Sequence, residues 1–328
     1  MKLSNLIRRA THKVVTDGLK ELADSSFRAL GRWELARIKE KKMFYSNPFW
    51  REIHYNALNL LGQEKLLLNN FDMGFSKEFS AYGFREPLNT YAIYKTVEKE
   101  KPTVLDLGSN LGYFCLVELQ AGAKHVVAVE PVPLTFSLLS KTLSRFKNVT
   151  PLNMAISDKQ ETLKLYISNK YNVTSSSLSL LTSSGYKVIG ETSVKATSIS
   201  DMAKRYPINM LRMDVEGQEY RILAGNIPDQ IKIICIELHV IHPYTKTHAT
   251  KLLQNLNKQG FEAKVVINDF PYGYFPTINR LGLERVYNLL KILNKKPLKP
   301  PFVKQDVDLV QLIDQIPKQC CFHLILQR

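Results

Sequence analysis

The segment Val104-Leu-Asp-Leu-Gly-Ser-Asn-Leu-Gly112 puts a carboxylate, Asp106, between a short apolar run and a turn that holds Gly108 and Gly112. Glycines in such a turn let the backbone approach a ligand and let the next helix pack closely on the strand. The acid decides the kind of ligand. A dinucleotide site presents glycines and amide donors to a pyrophosphate, and an acid two residues ahead of the first glycine repels that anion. A ligand with a cationic end and no phosphate suits Asp106 better. S-adenosylmethionine, with its ammonium and sulfonium groups, has that form. Glu130 lies 18 residues beyond Gly112, after the apolar run Val126–Val129 and before Pro131. At that point of a βαβ unit an acid accepts hydrogen bonds from ribose hydroxyls.

These residues need a frame of alternating strands and helices. Val104 and Leu105 begin a strand, and Leu111, Phe114, Cys115 and Leu119 follow as an amphipathic helix that Gly122-Ala123 closes. The continuous run Val126–Val129 reads as a strand buried on both faces. A helix over 134–146 and a strand over 150–156 come next, then an alternating stretch, Thr162–Ile167, that reads as a hairpin-like excursion. The Ser/Thr/Asn-rich stretch 169–184 reads as a long loop, a type that is usually functional. Strands over 208–213 and 231–238, a helix over 248–258, and strands over 263–267 and 320–326 complete the pattern. Such alternation requires a mainly parallel sheet with helices on both faces, and ligands then sit at the carboxyl ends of the strands. Asp106, Glu130, Asp158, Asp214 and His239 all fall at those ends. Their convergence is the structural argument for an enzyme.

The 328 residues suffice for one full α/β domain with appendages, and 45% hydrophobic residues describe an ordinary globular protein. No apolar run is long enough to cross a membrane as a helix, and the N-terminus lacks the apolar core of a secretory signal. The four cysteines, Cys115, Cys235, Cys320 and Cys321, show no metal-ligand or redox spacing. Buried reduced thiols and a cytoplasmic location follow as expectations. The net charge is +15. Residues 1–43 hold 11 Lys/Arg against five Asp/Glu, and residues 280–304 hold seven against one. Such segments fit an anionic polymer, a phosphorylated substrate or an acidic membrane surface, and equally a solvated helix face. Residues 1–85 read as an N-terminal helical or irregular cap, residues 86–328 as the main domain, and 268–318 as a basic helical insertion at its edge.

Together, Val104–Gly112, Val129-Glu-Pro131, Asn153-Met-Ala-Ile-Ser-Asp158, Asp214-Val-Glu-Gly-Gln-Glu219 and Ile236-Glu-Leu-His239 resemble the FkbM family of S-adenosylmethionine-dependent methyltransferases. The Asp-Val-Glu-Gly-x-Glu block is the most distinctive. The resemblance implies a doubly wound, Rossmann-like α/β fold with a seven-stranded, mainly parallel sheet whose last strand is antiparallel. It implies that Asp106, Gly108, Ser109, Asn110 and Gly112 line the methionine end of the cofactor. Glu130 with Pro131 would hold the ribose, Asn153, Ala155 and Ile156 would meet the adenine, and Asp214 would face the transferred methyl. Tyr82-Gly-Phe-Arg-Glu86 resembles a segment that closes over the cofactor, with Arg85 on its carboxylate.

Family members commonly methylate hydroxyl oxygens of sugars and secondary metabolites. A base beside a poorly acidic hydroxyl helps by about 10²–10⁴-fold. The candidates are His239, Asp214 and Glu237, with His242 and Tyr244 behind them. His239, neutral and basic near pH 7, suits the role, although a histidine after a buried strand is also a common structural hydrogen-bonding residue. Glu216 and Glu219 open a helix, where the dipole favours carboxylates. Glu237 and His239 share one face of a strand, but no further ligand signature accompanies them, and no metal is expected. The expected acceptor is a small molecule or glycan, anionic or lipid-linked. A nucleic-acid methyltransferase is the alternative, weakened because Asp214-Val-Glu-Gly stands where amino-group methyltransferases carry Asn-Pro-Pro-aromatic. A catalytically silent cofactor-binding module is the other alternative.

Overall fold

The computed structural model describes residues 50–54, 65–69, 75–76, 86–168, 174–175, 187–240, 244–267, 303–309, 311–312 and 320–328. The chain opens with strands β1 (Trp50–His54) and β2 (Lys65–Asn69), helix α1 (Pro87–Glu100) and strand β3 (Thr103–Leu107). Helix α2 (Tyr113–Gln120), strand β4 (His125–Val129), helix α3 (Pro133–Leu143) and strands β5 (Val149–Leu152), β6 (Ala155–Ser157), β7 (Glu161–Ser168), β8 (Thr174–Ser175) and β9 (Val188–Ser198) follow. Then come α4 (Ile199–Arg205), β10 (Met210–Met213), α5 (Glu219–Ile222), β11 (Ile233–Val240), α6 (Lys246–Lys258), β12 (Glu262–Ile267), β13 (Val303–Val307) and β14 (Cys320–Gln327).

The main sheet has eight strands in the order β13-β12-β14-β11-β10-β3-β4-β5. From β11 to β5 every pairing is parallel. Strand β14 runs antiparallel between β11 and β12. The mainly parallel sheet with an antiparallel late strand is the expected architecture, and it exceeds the expected seven strands by one. The eighth, β13, pairs antiparallel with β12 at the edge. It comes from within the expected insertion at 268–318, of which 268–302 lies outside the described residues. Within the expected helical or irregular cap, β1 and β2 form an antiparallel pair. Residues 1–49 lie outside the described residues, as do the 169–173 and 176–184 parts of the expected loop, Arg85 and His242.

Strand β3 is buried along its whole length and β4 nearly so, so both read as apolar runs. Alternate residues feed opposite faces of the sheet. Leu105, Leu107, Val127, Val129, Leu211 and Met213 join one core, while Val104, Val126, Ala128 and Met210 join the other with α2. The expected single strand over 150–156 divides in two. Asn153 Nδ2 donates to the carbonyls of Glu130 and Pro131 at 2.9 and 3.1 Å, turning the chain out of the main sheet after β5. Strand β6 then enters a second sheet, ordered β6-β9-β7-β8. This is the hairpin-like excursion, with β9 as the long partner of β7.

The glycines of the first turn serve packing. Gly108 has φ +75°, and a Cβ there would sit 2.0 Å from the Asp214 carbonyl oxygen. Gly112, at φ +96°, faces Leu139 Cδ1 of α3, which a Cβ would approach to 2.9 Å. Only glycine lets β3 and β10 end side by side. Backbone strain and overpacking therefore add at this position, and Gly108→Ala is expected to cost about 3 kcal/mol or more. Thermal unfolding beside wild type measures this, and an unchanged midpoint would refute it.

Candidate active site

In the parallel register of β3 and β10, Arg212 lies opposite Asp106. Arg212 is 4% exposed and Asp106 fully buried. The guanidinium contacts Asp106 Oδ1 at 3.3 Å and Asp214 Oδ2 at 3.3 Å, and donates to the Gly108 carbonyl at 3.2 Å. Its plane lies 4.1 Å from the centre of the Phe114 ring. Cys115 Sγ donates to the other Asp106 oxygen at 3.0 Å. Burial opposes the charge on Arg212, but Asp106 and Asp214 outweigh it and raise its pKa. Asp106 is thus engaged below the turn and is not among the residues that line the adjoining cleft. Asp106 anchors the arginine that ties β3 to β10. Sequence reading overlooked Arg212, although a lone cation in Met210-Leu-Arg-Met213 is the signal of a buried charge with partners elsewhere.

A cleft opens above this pair, at the carboxyl ends of β3, β4 and β10. Of the residues singled out in the sequence, Gly108, Ser109, Asn110, Glu130, Pro131, Ala155, Ile156 and Asp214 line it. Gly112 and Asn153 do not; they shape its walls through α3 and the Glu130-Pro131 turn. Glu130 is 5% exposed, and its two oxygens accept the amides of Asn110 at 3.0 Å and Val132 at 2.9 Å. Each oxygen keeps a second lone pair for a ligand hydroxyl. Burial pushes the Glu130 carboxyl up to about 7, against the pull of those two amides. Apolar walls come from Val132, Met154, Ile156, Leu163 and Leu165, the last two on β7.

A second cluster of charges lies past Asp214. His239 Nδ1 binds Glu219 Oε1 at 2.9 Å, and Glu219 is fully buried. His239 Nε2 stands 3.7 Å from Glu216 and 3.9 Å from Glu237. Burial alone would lower the His239 pKa, but Glu219, Glu237 and Glu216 together raise it well above the ordinary value. His239 is held by Glu219 and lies outside the cleft lining. Glu237 also lies outside the lining. Although burial works the other way, His323 and His239 hold it down at about 2. Of the three expected catalytic groups, Asp214 alone lines the cleft. Burial and then Glu237 push it up to about 6, against Arg212 and His239. Glu216, in left-handed backbone at φ 51°, also faces the cleft and is pushed by burial to about 8. Glu219 is structural: it also accepts the Gly217 amide at 3.1 Å. Cys115, Cys235 and Cys321 are free thiols.

A doubly wound sheet with a cleft over its first crossover, lined by acids and apolar side chains, defines a nucleoside-binding transferase architecture. Residues 106–263 match the model of the methyltransferase FkbM domain, and this segment of the chain carries such a domain. No curated protein matches the sequence. Among solved structures, an O-methyltransferase from Bacillus cereus in complex with SAH is 10% identical, with a TM-score of 0.31 over 75% of this chain and 83% of that one. A SAM-dependent methyltransferase from Thiobacillus denitrificans in complex with S-adenosyl-L-homocysteine is 11% identical, with a TM-score of 0.34 over 76% of this chain and 96% of that one. A putative RNA methyltransferase from Pyrococcus horikoshii is 12% identical, with a TM-score of 0.32 over 90% and 94%. These likenesses are distant, and the family match carries the assignment. No helix among the described residues is long and apolar enough to cross a membrane.

Removing one partner of a buried ion pair leaves the other charge stranded, at a cost of about 3–5 kcal/mol. Arg212→Met is expected to lose that much unfolding free energy. The double variant Asp106→Asn/Arg212→Met should lose clearly less than the sum of the two single variants. Denaturant unfolding of all four proteins measures the coupling, and strict additivity would refute it.

Proposed function

We propose that this methyltransferase uses S-adenosylmethionine and transfers its methyl group to a hydroxyl oxygen of a sugar, glycan or related metabolite. One observation carries the cofactor reading: the cleft joins a ribose-accepting acid, Glu130, to an acidic end made by Asp214 and Glu216. Among the described residues the one guanidinium in its lining, Arg212, is already committed to Asp106 and Asp214, and no other described cation lines the cleft to meet a phosphate. The donor set therefore fits a ligand with hydroxyls, an adenine and a cationic end. When bound, that ligand supplies an activated methyl group. Glu130 accepts the ribose hydroxyls, Val132, Met154 and Ile156 flank the adenine, and Asn110 and Ser109 border the methionine end. Asp214 faces the acceptor and orients or deprotonates its hydroxyl. Alignment is the protein's main contribution, and well-oriented reactants supply roughly 7–11 kcal/mol of barrier reduction. The loss of amino-group methyltransferase chemistry at Asp214-Val-Glu-Gly supports oxygen over nitrogen as the acceptor atom.

Calorimetric titration is expected to show binding of S-adenosylmethionine and none of NAD; the reverse result would overturn the cofactor reading. Only ionised Glu130 accepts two hydroxyls, so affinity should rise as pH increases through about 7. Glu130→Gln is expected to bind about 10-fold or more weakly and to lose this pH dependence. An equal slope in both proteins would refute the ribose assignment. Asp214→Asn should lower methyl transfer to an active acceptor by at least about 10²-fold even at saturating cofactor, and unchanged turnover would refute its role at the acceptor. Screening glycan and lipid-linked acceptors with labelled methyl groups identifies that acceptor, and turnover confined to amino groups would refute the oxygen reading.

A further inference from the structure

Glu237 on β11 and His323 on β14 are directly opposed in the antiparallel register, and Glu86, at the start of α1, reaches the same point. His323 Nε2 stands 3.3 Å from Glu86 Oε2 and 3.6 Å from Glu237 Oε2. The three donor atoms lie within 4.8 Å of one another. His323 is 8% exposed, yet neither ring nitrogen makes a hydrogen bond. Its Nε2 faces both carboxylates at ion-pair distance. The spacing has another reading. With metal–donor bonds of about 2.0–2.2 Å, donors on a tetrahedron stand about 3.3–3.6 Å apart. The two measured separations coincide with those edges. Outer contacts of the kind that hold ligands in place are also present: Asn89 Nδ2 donates to Glu86 Oε2 at 2.9 Å, from a side chain that is itself buried.

The geometry points to a divalent-cation site formed by Glu86, Glu237 and His323. One imidazole and two carboxylates suit zinc, manganese or cobalt in preference to a soft monovalent metal. Three protein ligands leave a coordination position open. Glu237 Oε1 is 3.9 Å from His239, and His239 is 3.7 Å from Glu216, so the site stands two ion-pair steps from the cleft wall.

Cobalt(II) is the probe, titrated calorimetrically and by visible absorption into full-length protein freed of metal with EDTA. The expected result is one ion per chain, with a d–d absorption band, bound at least 10-fold more weakly by His323→Gln and by Glu237→Gln. His248→Gln, on the exposed start of α6, should bind as wild type does. X-ray absorption of the wild-type complex should show one imidazole among nitrogen and oxygen donors, and this keeps the site testable if a ligand variant fails to fold. No binding by folded wild type, affinity unchanged in both ligand variants, or a ligand set without imidazole would overturn the site. These readouts involve no methyl donor. A cation bound normally by a protein that transfers no methyl group would refute the proposed function and leave the site standing.

Discussion

Arg212 holds a full positive charge at the centre of the sheet, and the surrounding arrangement answers to it. A guanidinium removed from water is tolerated only where opposite charges and acceptors surround it. Here Asp106 from β3, Asp214 from the end of its own strand and the Gly108 carbonyl do so, with Phe114 across its face. That requirement fixes the distance between the ends of β3 and β10. The same distance obliges residue 108 to lack a side chain and leaves Asp214 at the rim of the cleft. The carboxylate that lines the cleft is therefore aimed by one that does not.

The cleft and the charged cluster past it divide the labour. On one side Glu130, its two oxygens already holding backbone amides, offers a rigid acceptor rather than a mobile side chain. Its orientation is set before any ligand arrives, which limits the entropy lost on binding. On the other side, Glu219, His239, Glu216, Glu237, His323 and Glu86 follow one another at ion-pair distances. Acids outnumber imidazoles along this path, and it leads away from the apolar adenine end toward the strands at 237 and 323. Glu130 in the cleft and the charged path thus stand on different elements.

Much of this was legible in the sequence because it follows from local pattern. Continuous apolar runs announced β3, β4 and β11, and the turn at 106–112 announced the cleft. What stayed hidden depends on register. Arg212 looks like an intrusion in a core strand until β3 is set beside it, 106 residues away in the chain. The charge state of His239 depends on Glu219, which the sequence places only at the head of a short helix. His323 carries no local signal at all, since its partners are Glu237 across an antiparallel pair and Glu86 before α1. The break between β5 and β6 was missed because Asn153 acts through two carbonyls of a distant turn.

The strand order has a consequence for how the chain reaches this state. Strand β14 lies between β11 and β12, yet it follows both in sequence, so those two cannot settle as neighbours and then admit it. The central pair β3 and β10 likewise joins segments far apart along the chain. Proteins dominated by such non-local pairing fold slowly, in milliseconds to seconds, because loop closure must precede the contacts that stabilise it. Until β14 docks, the faces of β11 and β12 that receive it stay unpaired. An edge left open for that interval is a template for another strand, so the nascent protein is most exposed to misassembly where its finished sheet is most tightly interleaved.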